Sequence, residues 1–132
     1  MSFDFEKYIR DTDLVNAGID FDSLPKGNLI SWEHFIRNEY WEAEHRRGRR
    51  VMTYGMQNHN PLALKNAVRI MQTQADHLPS PSPLLFKNLG NAYNMLSAFE
   101  PQARTGMVTA WKKYLDYRVD DPDNEVIQKA IR

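Results

Sequence analysis

Apolar positions along most of the chain recur every three or four residues, which is the spacing of one face of an α-helix. The longest series passes through Ile36, Tyr40, Ala43, Arg47, Val51 and Tyr54. It predicts a single helix over about 32–58, with Ser31 as its N-cap. Gly48 lies inside this helix, and the pattern leaves open whether the helix is continuous there.

Further segments carry the same helical spacing. Asn60 and Pro61 form an N-cap and N1 pair, so a helix should begin there and continue to the first of the prolines at 79, 81 and 83. Apolar residues within 85–96 and 108–118 mark two more helices, and shorter ones are expected within 3–17 and 123–132. No strand-like alternation and no hairpin-type Asn-Gly or Asp-Gly turn is present. We therefore predict an all-α fold of antiparallel helix hairpins.

The segment FKNLGNAY, residues 86–93, places a glycine at the centre of a predicted helix, where glycine costs about 1 kcal/mol relative to alanine. This segment resembles the first helix of a tetratricopeptide repeat, whose pattern is matched by Phe86, Leu89, Gly90 and Tyr93. After a gap eight residues longer than the family's, the spacing resumes at Ala110, Tyr114 and Pro122. Tyr117 stands where the family prefers alanine.

A fainter copy of the same pattern precedes it and is carried by Gly55, Ala67, Met71 and Pro79. The resemblance implies two repeats, 48–81 and 83–122, in which the glycine of each first helix faces the alanine of the second. Gly55 should then face Ala67, and Gly90 should face Ala110. The eight extra residues predict one additional turn on each helix of the second repeat.

The whole chain is expected to form one helical domain. In this interpretation 1–30 is an N-terminal extension and 32–58 is a long helix that leads into the first repeat. Since two repeats alone rarely bury enough core, the start of the long helix should cap one end. The C-terminal helix over 123–132 should cap the other end through Val126, Ile127 and Ile131.

The resemblance also implies a groove, lined by the first helices, in which members of the family bind extended segments of other proteins. Carried over by position, its residues are Arg49, Met52, Met56, His59, Leu84, Lys87, Asn91, Asn94 and Met95. Lys87 and Asn91 lie one turn apart, so an ammonium and an amide would be offered together to a carboxylate or a peptide backbone. A structural role for Asn91 is the alternative, because asparagine is common there in the family.

Charge is unevenly distributed, although the chain is neutral overall. Residues 1–44 hold ten acidic and four basic residues, 45–113 hold two acidic and ten basic, and 114–132 hold five acidic and three basic. The densest basic run, HRRGRR, contributes Arg46, Arg47, Arg49 and Arg50. These arginines cover most of the helix circumference, so they either pair with upstream glutamates or form a basic patch for nucleic acid.

Motifs for chemistry are missing from the sequence. Cysteine is absent, no P-loop or G-x-S-x-G is present, and the single Glu-x-x-His pair, Glu42 and His45, is half of what a di-iron bundle needs. We expect no metal, no cofactor and no enzyme activity. With neither a secretory signal nor an apolar run of about 18–20 residues, we expect a cytoplasmic protein that does not enter the membrane.

The expected function is therefore that of a non-enzymatic adaptor, assembly factor or regulatory subunit. Its partner would be another protein, bound through a peptide segment, for which acidic character is one option. Two alternatives stay open. One is a nucleic-acid-associated factor that uses the run Arg46–Arg50. The other is a self-assembling structural protein, in which the acidic N-terminal segment of one copy docks on the basic middle of another.

Overall fold

Six helices make up the described part of the chain, which in this computed structural model covers residues 4–16, 32–78 and 81–132. Their bounds are α1 Phe5–Asn16, α2 Trp32–Gln57, α3 Pro61–His77, α4 Pro83–Ser97, α5 Ala103–Asp116 and α6 Asn124–Ala130. No strand occurs within these ranges, and the predicted all-α fold is confirmed. Side chains are described in the same ranges except at 14–16 and 32–39.

Two helices begin at a side-chain cap followed by proline. The Asn60 Oδ1 accepts a hydrogen bond from the Ala63 amide at 3.1 Å, as the sequence predicted, and Pro61 opens α3. Ser82 does the same for α4, where its Oγ accepts from the Leu85 amide at 3.3 Å ahead of the start at Pro83. The Ser82 cap was not predicted. The cap predicted at Ser31 lies outside the described residues.

Helix α2 is continuous through Gly48, which resolves the question that the sequence left open. Glycine serves close packing at this position. A Cβ built on Gly48 would lie 2.8 Å from the Met71 Cγ of α3, and one built on Gly55 would lie 2.9 Å from the Leu64 side chain. Both glycines are buried. The two positions, seven residues apart on α2, therefore let α3 pack closely along two turns of its neighbour.

The second hairpin, α4 with α5, is closed by a tryptophan. A Cβ on Gly90 would lie 2.0 Å from the Trp111 indole, whose Nε1 donates to the Lys87 carbonyl at 3.1 Å. The atoms nearest to a Cβ at Gly90 thus belong to Trp111, which follows the predicted Ala110 and whose indole fills the space that the glycine leaves. The atoms nearest to a Cβ at Gly55 belong to Leu64, three residues before the predicted Ala67.

The eight-residue insertion is placed differently from the prediction of one extra turn per helix. Helix α4 continues from Gly90 to Ser97, whereas α2 ends at Gln57, soon after Gly55. Most of the insertion therefore lengthens α4. Two further residues lengthen the link before α5, and the last one lies in α5, which begins one residue earlier relative to Ala110 than α3 does relative to Ala67.

Two clusters of buried side chains form the core. The first joins α1 to the helices of both hairpins, and its most fully buried members include Val51, Leu64, Ile70, Met71, Leu85 and Leu89. The second lies towards the C-terminal end and consists of Phe86, Met107, Trp111, Tyr114 and Ile127. Of the residues predicted to cap this end, Ile127 is buried, Ile131 is half-buried and Val126 is 67% exposed.

A buried polar contact links the two hairpins where α2 meets α4. The Nδ2 of Asn88 on α4 lies 3.1 Å from the Nε2 of His45 on α2, and both side chains are buried. Since an amide nitrogen only donates, the imidazole accepts through Nε2 and is neutral, with its proton on Nδ1. Burial, and secondly the charge of Arg49, lowers the pKa of His45 below its usual value.

Replacing Gly90 by alanine should destabilise the protein. Alanine gains about 1 kcal/mol in helix propensity, but its Cβ would overlap the Trp111 indole, so we expect a net loss of about 1–2 kcal/mol in chemical denaturation. Gly48→Ala is the matched control, because there the nearest atom belongs to the flexible Met71 side chain. A Gly90→Ala protein at least as stable as the wild type would contradict this packing.

The protonation of His45 should make stability depend on pH. Because its folded pKa lies below the unfolded value of about 6.5, the unfolded chain binds a proton that the folded form excludes, and stability falls as the pH drops below about 6.5. Thermal unfolding at pH 7.5 and 5.0 should show a larger drop for the wild type than for His45→Gln, which accepts the same hydrogen bond without titrating. Equal drops would show that His45 does not carry the effect.

Candidate binding face

Several residues of α2 and α4 that the sequence predicted to line the groove are exposed or half-buried, and they are here together called the α2–α4 face. On α2 it comprises Arg49 and Met56, which lie about 100° around the helix from the α3-facing glycines Gly48 and Gly55. On α4 it comprises Leu84, Asn91 and Asn94. Because α2 and α4 are in contact, the groove residues that the sequence proposed from two separate segments lie on neighbouring helices.

The apolar residues predicted to line the groove differ in their exposure to solvent. Met56 is 48% and Leu84 is 50% exposed, so both offer apolar surface. Met52 is buried in the first core cluster, and Met95 is half-buried against it. His59 is exposed in the turn after α2, where its backbone adopts a positive φ of 48°. Apolar contact with a ligand on this face would therefore come chiefly from Met56 and Leu84.

Lys87 is bonded to carboxylates of its own chain. Its Nζ lies 2.6 Å from Asp121 Oδ2 and 2.9 Å from Asp123 Oδ2, both in the segment between α5 and α6. Tyr114 donates its hydroxyl proton to the same Asp121 oxygen, and the Asp123 amide donates to Asp121 Oδ1 at 2.9 Å. The segment 119–123, here called the acidic loop, is thereby held against the first turns of α4.

These contacts shift both partners' protonation equilibria towards the charged forms. The hydrogen bonds from Lys87 and then Tyr114 lower the pKa of Asp121 to about 2, and those to Asp121 and Asp123 raise the pKa of Lys87 to about 12. An ammonium bonded in this way is not free to receive a partner's carboxylate. The sequence reasoning missed Asp121 and Asp123. A signal was present, since acids flank Pro122 and Lys87 is the one basic residue of α4.

A cavity of about 380 Å³ lies between the start of α4 and the acidic loop. Its walls are mostly apolar, with charged groups at one side, and they are formed by Ser82, Pro83, Leu84, Lys87, Tyr114, Val119, Asp120, Asp121 and Pro122. Leu84 belongs to this cavity and to the α2–α4 face, so the two are continuous. The cavity combines a concave apolar surface with charged side chains, which is a combination suited to holding a ligand side chain.

The predicted basic patch is divided by the fold. Arg47 is buried, with its Nε 2.9 Å from Glu44 Oε1 and its Nη1 2.5 Å from the Thr12 hydroxyl of α1. Arg50 is exposed but lies over the Tyr8 ring, 5.3 Å from its centroid. Arg46 and Arg49 are also exposed. Of the four arginines, one is therefore used inside the fold to hold α1.

Helix α1 packs on the other side of α2 from the binding face. Phe5 lies 5.1 Å from Tyr54 between ring centroids, and Asp13 pairs with Arg47 at 3.2 Å. Arg47 and Met56 are nine residues, or two and a half turns, apart, which puts them on opposite sides of the helix. The described part of the N-terminal extension therefore leaves the α2–α4 face open. Among its other apolar residues, Phe3, Phe21 and Leu24 lie outside the described residues.

Comparisons with protein families, with curated proteins and with solved structures gave no match. Among the helices described, none combines the length and the apolar character needed to cross a membrane. The packed pairs α2 with α3 and α4 with α5 are compatible with a helical repeat. Any function must therefore be argued from the site itself.

Replacing Asp121 by asparagine should lower stability at neutral pH but not in strong acid. Since the folded pKa of Asp121, about 2, lies below the unfolded value of about 3.9, its contribution is present above about pH 4 and lost between about pH 4 and 2. The difference in Tm between the wild type and Asp121→Asn should therefore shrink between pH 6 and pH 2.5. Asp116→Asn, at an exposed position of α5, is the control. A difference that stays constant across this range would rule out the linkage.

Proposed function

We propose that this protein is a non-enzymatic interaction module that holds a segment of another protein along the α2–α4 face. The observation that carries the proposal is that α2 and α4, which are in contact, each present a half-exposed apolar side chain, Met56 or Leu84, together with a polar one, Arg49 or Asn91. Apolar anchors with polar side chains around them are what binding of an extended segment requires. Methionine suits such a face because it repacks around different side chains.

The helix pairing supports the finer interpretation, a divergent pair of tetratricopeptide-like repeats. Each pair is closed at a buried glycine of its first helix, Gly55 or Gly90, where the resemblance requires close approach. First helices of neighbouring repeats would then lie side by side, as α2 and α4 do. In such an arrangement the shared face of the first helices is the ligand groove. We accordingly assign the module an adaptor, assembly or regulatory role in the cytoplasm.

The contacts of the arginine run support nucleic-acid binding less well than they support binding of a protein segment. Phosphate binding needs several free cations on one surface. Arg47 is buried against Glu44 and α1, and Arg50 lies on Tyr8. Arg46 and Arg49 are the exposed arginines of the run other than Arg50, and Arg49 belongs to the α2–α4 face. A role for Arg49 in directing a bound protein segment is therefore favoured.

Affinity capture with a matched pair of variants tests the proposal. Met56→Ser/Asn91→Ala changes the α2–α4 face, and Leu62→Ser/Asn66→Ala makes the same kind of change on the outer side of α3, where Leu62 is 48% exposed, like Met56. We expect a protein retained by the wild type and by the α3 variant to be reduced at least about fivefold with the face variant. Quantitative mass spectrometry of the captured proteins provides the measurement.

Circular dichroism should show both variants folded. The proposal fails if the same proteins are retained equally by all three forms, because the α2–α4 face would then contribute nothing to binding. It also fails if the α3 variant loses the partner while the face variant keeps it.

A further inference from the structure

The cavity beside the acidic loop assigns a chemistry to the bound segment. Building on the proposed function, we infer that this cavity receives an apolar side chain of the partner and that a neighbouring lysine or arginine of the partner pairs with the acidic loop. The partner segment would then be basic and apolar at this end of the face, and not acidic as the position of Lys87 alone suggests.

The walls of the cavity provide the apolar part of the argument. Pro83, Leu84, Tyr114, Val119 and Pro122 present mostly hydrocarbon surface. Leu84 and Val119 are 50% and 39% exposed, so this surface is available to a ligand. The volume of about 380 Å³ lies within the range of about 300–1,000 Å³ that is usual for ligand pockets. A leucine- or phenylalanine-sized side chain would remove this surface from water.

The charges around the cavity decide the sign of the partner. Lys87 supplies one positive charge and is bonded to both Asp121 and Asp123. Asp120 also lines the cavity, is exposed and makes no ion pair within the described part of the chain. The Asp123 side chain is 62% exposed, so much of it faces solvent. Three carboxylates against one ammonium leave the loop net negative, although exposed Arg118 adjoins it.

An acidic ligand would meet two costs at this site. It would be repelled by Asp120 and Asp123, and to reach the Lys87 ammonium it would have to displace Asp121, which is also held by the Tyr114 hydroxyl. A cationic ligand meets neither cost, because Asp120 has no competing ion pair in the described part of the chain. The acidic loop therefore disfavours an anionic ligand, which an unpaired Lys87 would attract.

Titration of the 15N-labelled full chain with three capped hexapeptides tests this inference. Their sequences are GSLRSG, GSLESG and GSSRSG, which separate the apolar contribution from the charge. In 50 mM salt we expect saturable shifts of the Leu84 and Val119 amide resonances with GSLRSG, and Kd values at least about fivefold weaker for the other two peptides. The advantage of GSLRSG over GSLESG should shrink in 500 mM salt.

Two pairs of protein variants locate the effect. Leu84→Ser should weaken GSLRSG binding at least about fivefold, whereas Leu62→Ser, which likewise follows a capped N1 proline on an exposed helix start, should not. Asp120→Asn should reduce the preference for arginine over glutamate about twofold to fivefold, whereas Asp116→Asn should leave it unchanged.

The possible failures are distinguishable. Equal or tighter binding of GSLESG at Leu84 and Val119 overturns the assigned charge. Shifts confined to other residues of the α2–α4 face, or no saturable shifts with millimolar GSLRSG, overturn the cavity as the site. In each case the affinity capture described above still decides the proposed function, because its variants change Met56 and Asn91 and leave the cavity intact. The peptide comparison uses the unmodified chain, so it stands even where a variant fails to fold.

Discussion

The contact of Trp111 with Gly90 is the constraint on which the C-terminal half of the structure depends. The indole occupies the space that a side chain at position 90 would need, and its Nε1 bonds the Lys87 carbonyl, so α5 is fixed against α4 both sideways and along its length. Tyr114 follows Trp111 by about one turn and so presents its hydroxyl to Asp121, next to the Lys87 ammonium. The acidic loop, and the cavity that it borders, therefore take their position from the packing of one aromatic ring on one glycine.

Two of the basic side chains on α2 and α4 bind carboxylates of the same chain and so are not available to a partner. Arg47, oriented by Glu44 of its own helix, fastens α1 to α2 through Thr12 and Asp13, and Lys87 fastens the acidic loop to α4. Both bring a terminal part of the chain onto the central hairpins. The basic middle and acidic ends of a neutral chain are thus explained in part by pairing within one copy. Exposed Arg46 and Arg49, and Asp120 of the acidic loop, take no part in these internal pairs.

Periodicity predicted the helices well because each helix follows from residues close together in sequence. The Asn60 cap, the start of α3 and the continuous span of α2 all depend on such local patterns. The partners of Gly90 and Lys87 depend on packing between distant segments, since Asp121 lies 34 residues beyond Lys87. A helical pattern tells which side of α4 Lys87 occupies but not which chain segment covers it. For that reason the sequence did not reveal that Met52 is buried in the core or that Lys87 is paired with Asp121 and Asp123.

The bond between His45 and Asn88 has a consequence for how the protein unfolds. Hairpins of a repeat protein are often only loosely coupled, so that one can open while its neighbour stays folded. Here, opening either hairpin would break the buried hydrogen bond between α2 and α4, a contact worth about 0.5–1.5 kcal/mol. The whole contact is lost when the first hairpin opens, and opening the second hairpin loses none of it. The contact therefore favours cooperative unfolding, in which the two hairpins are gained and lost together.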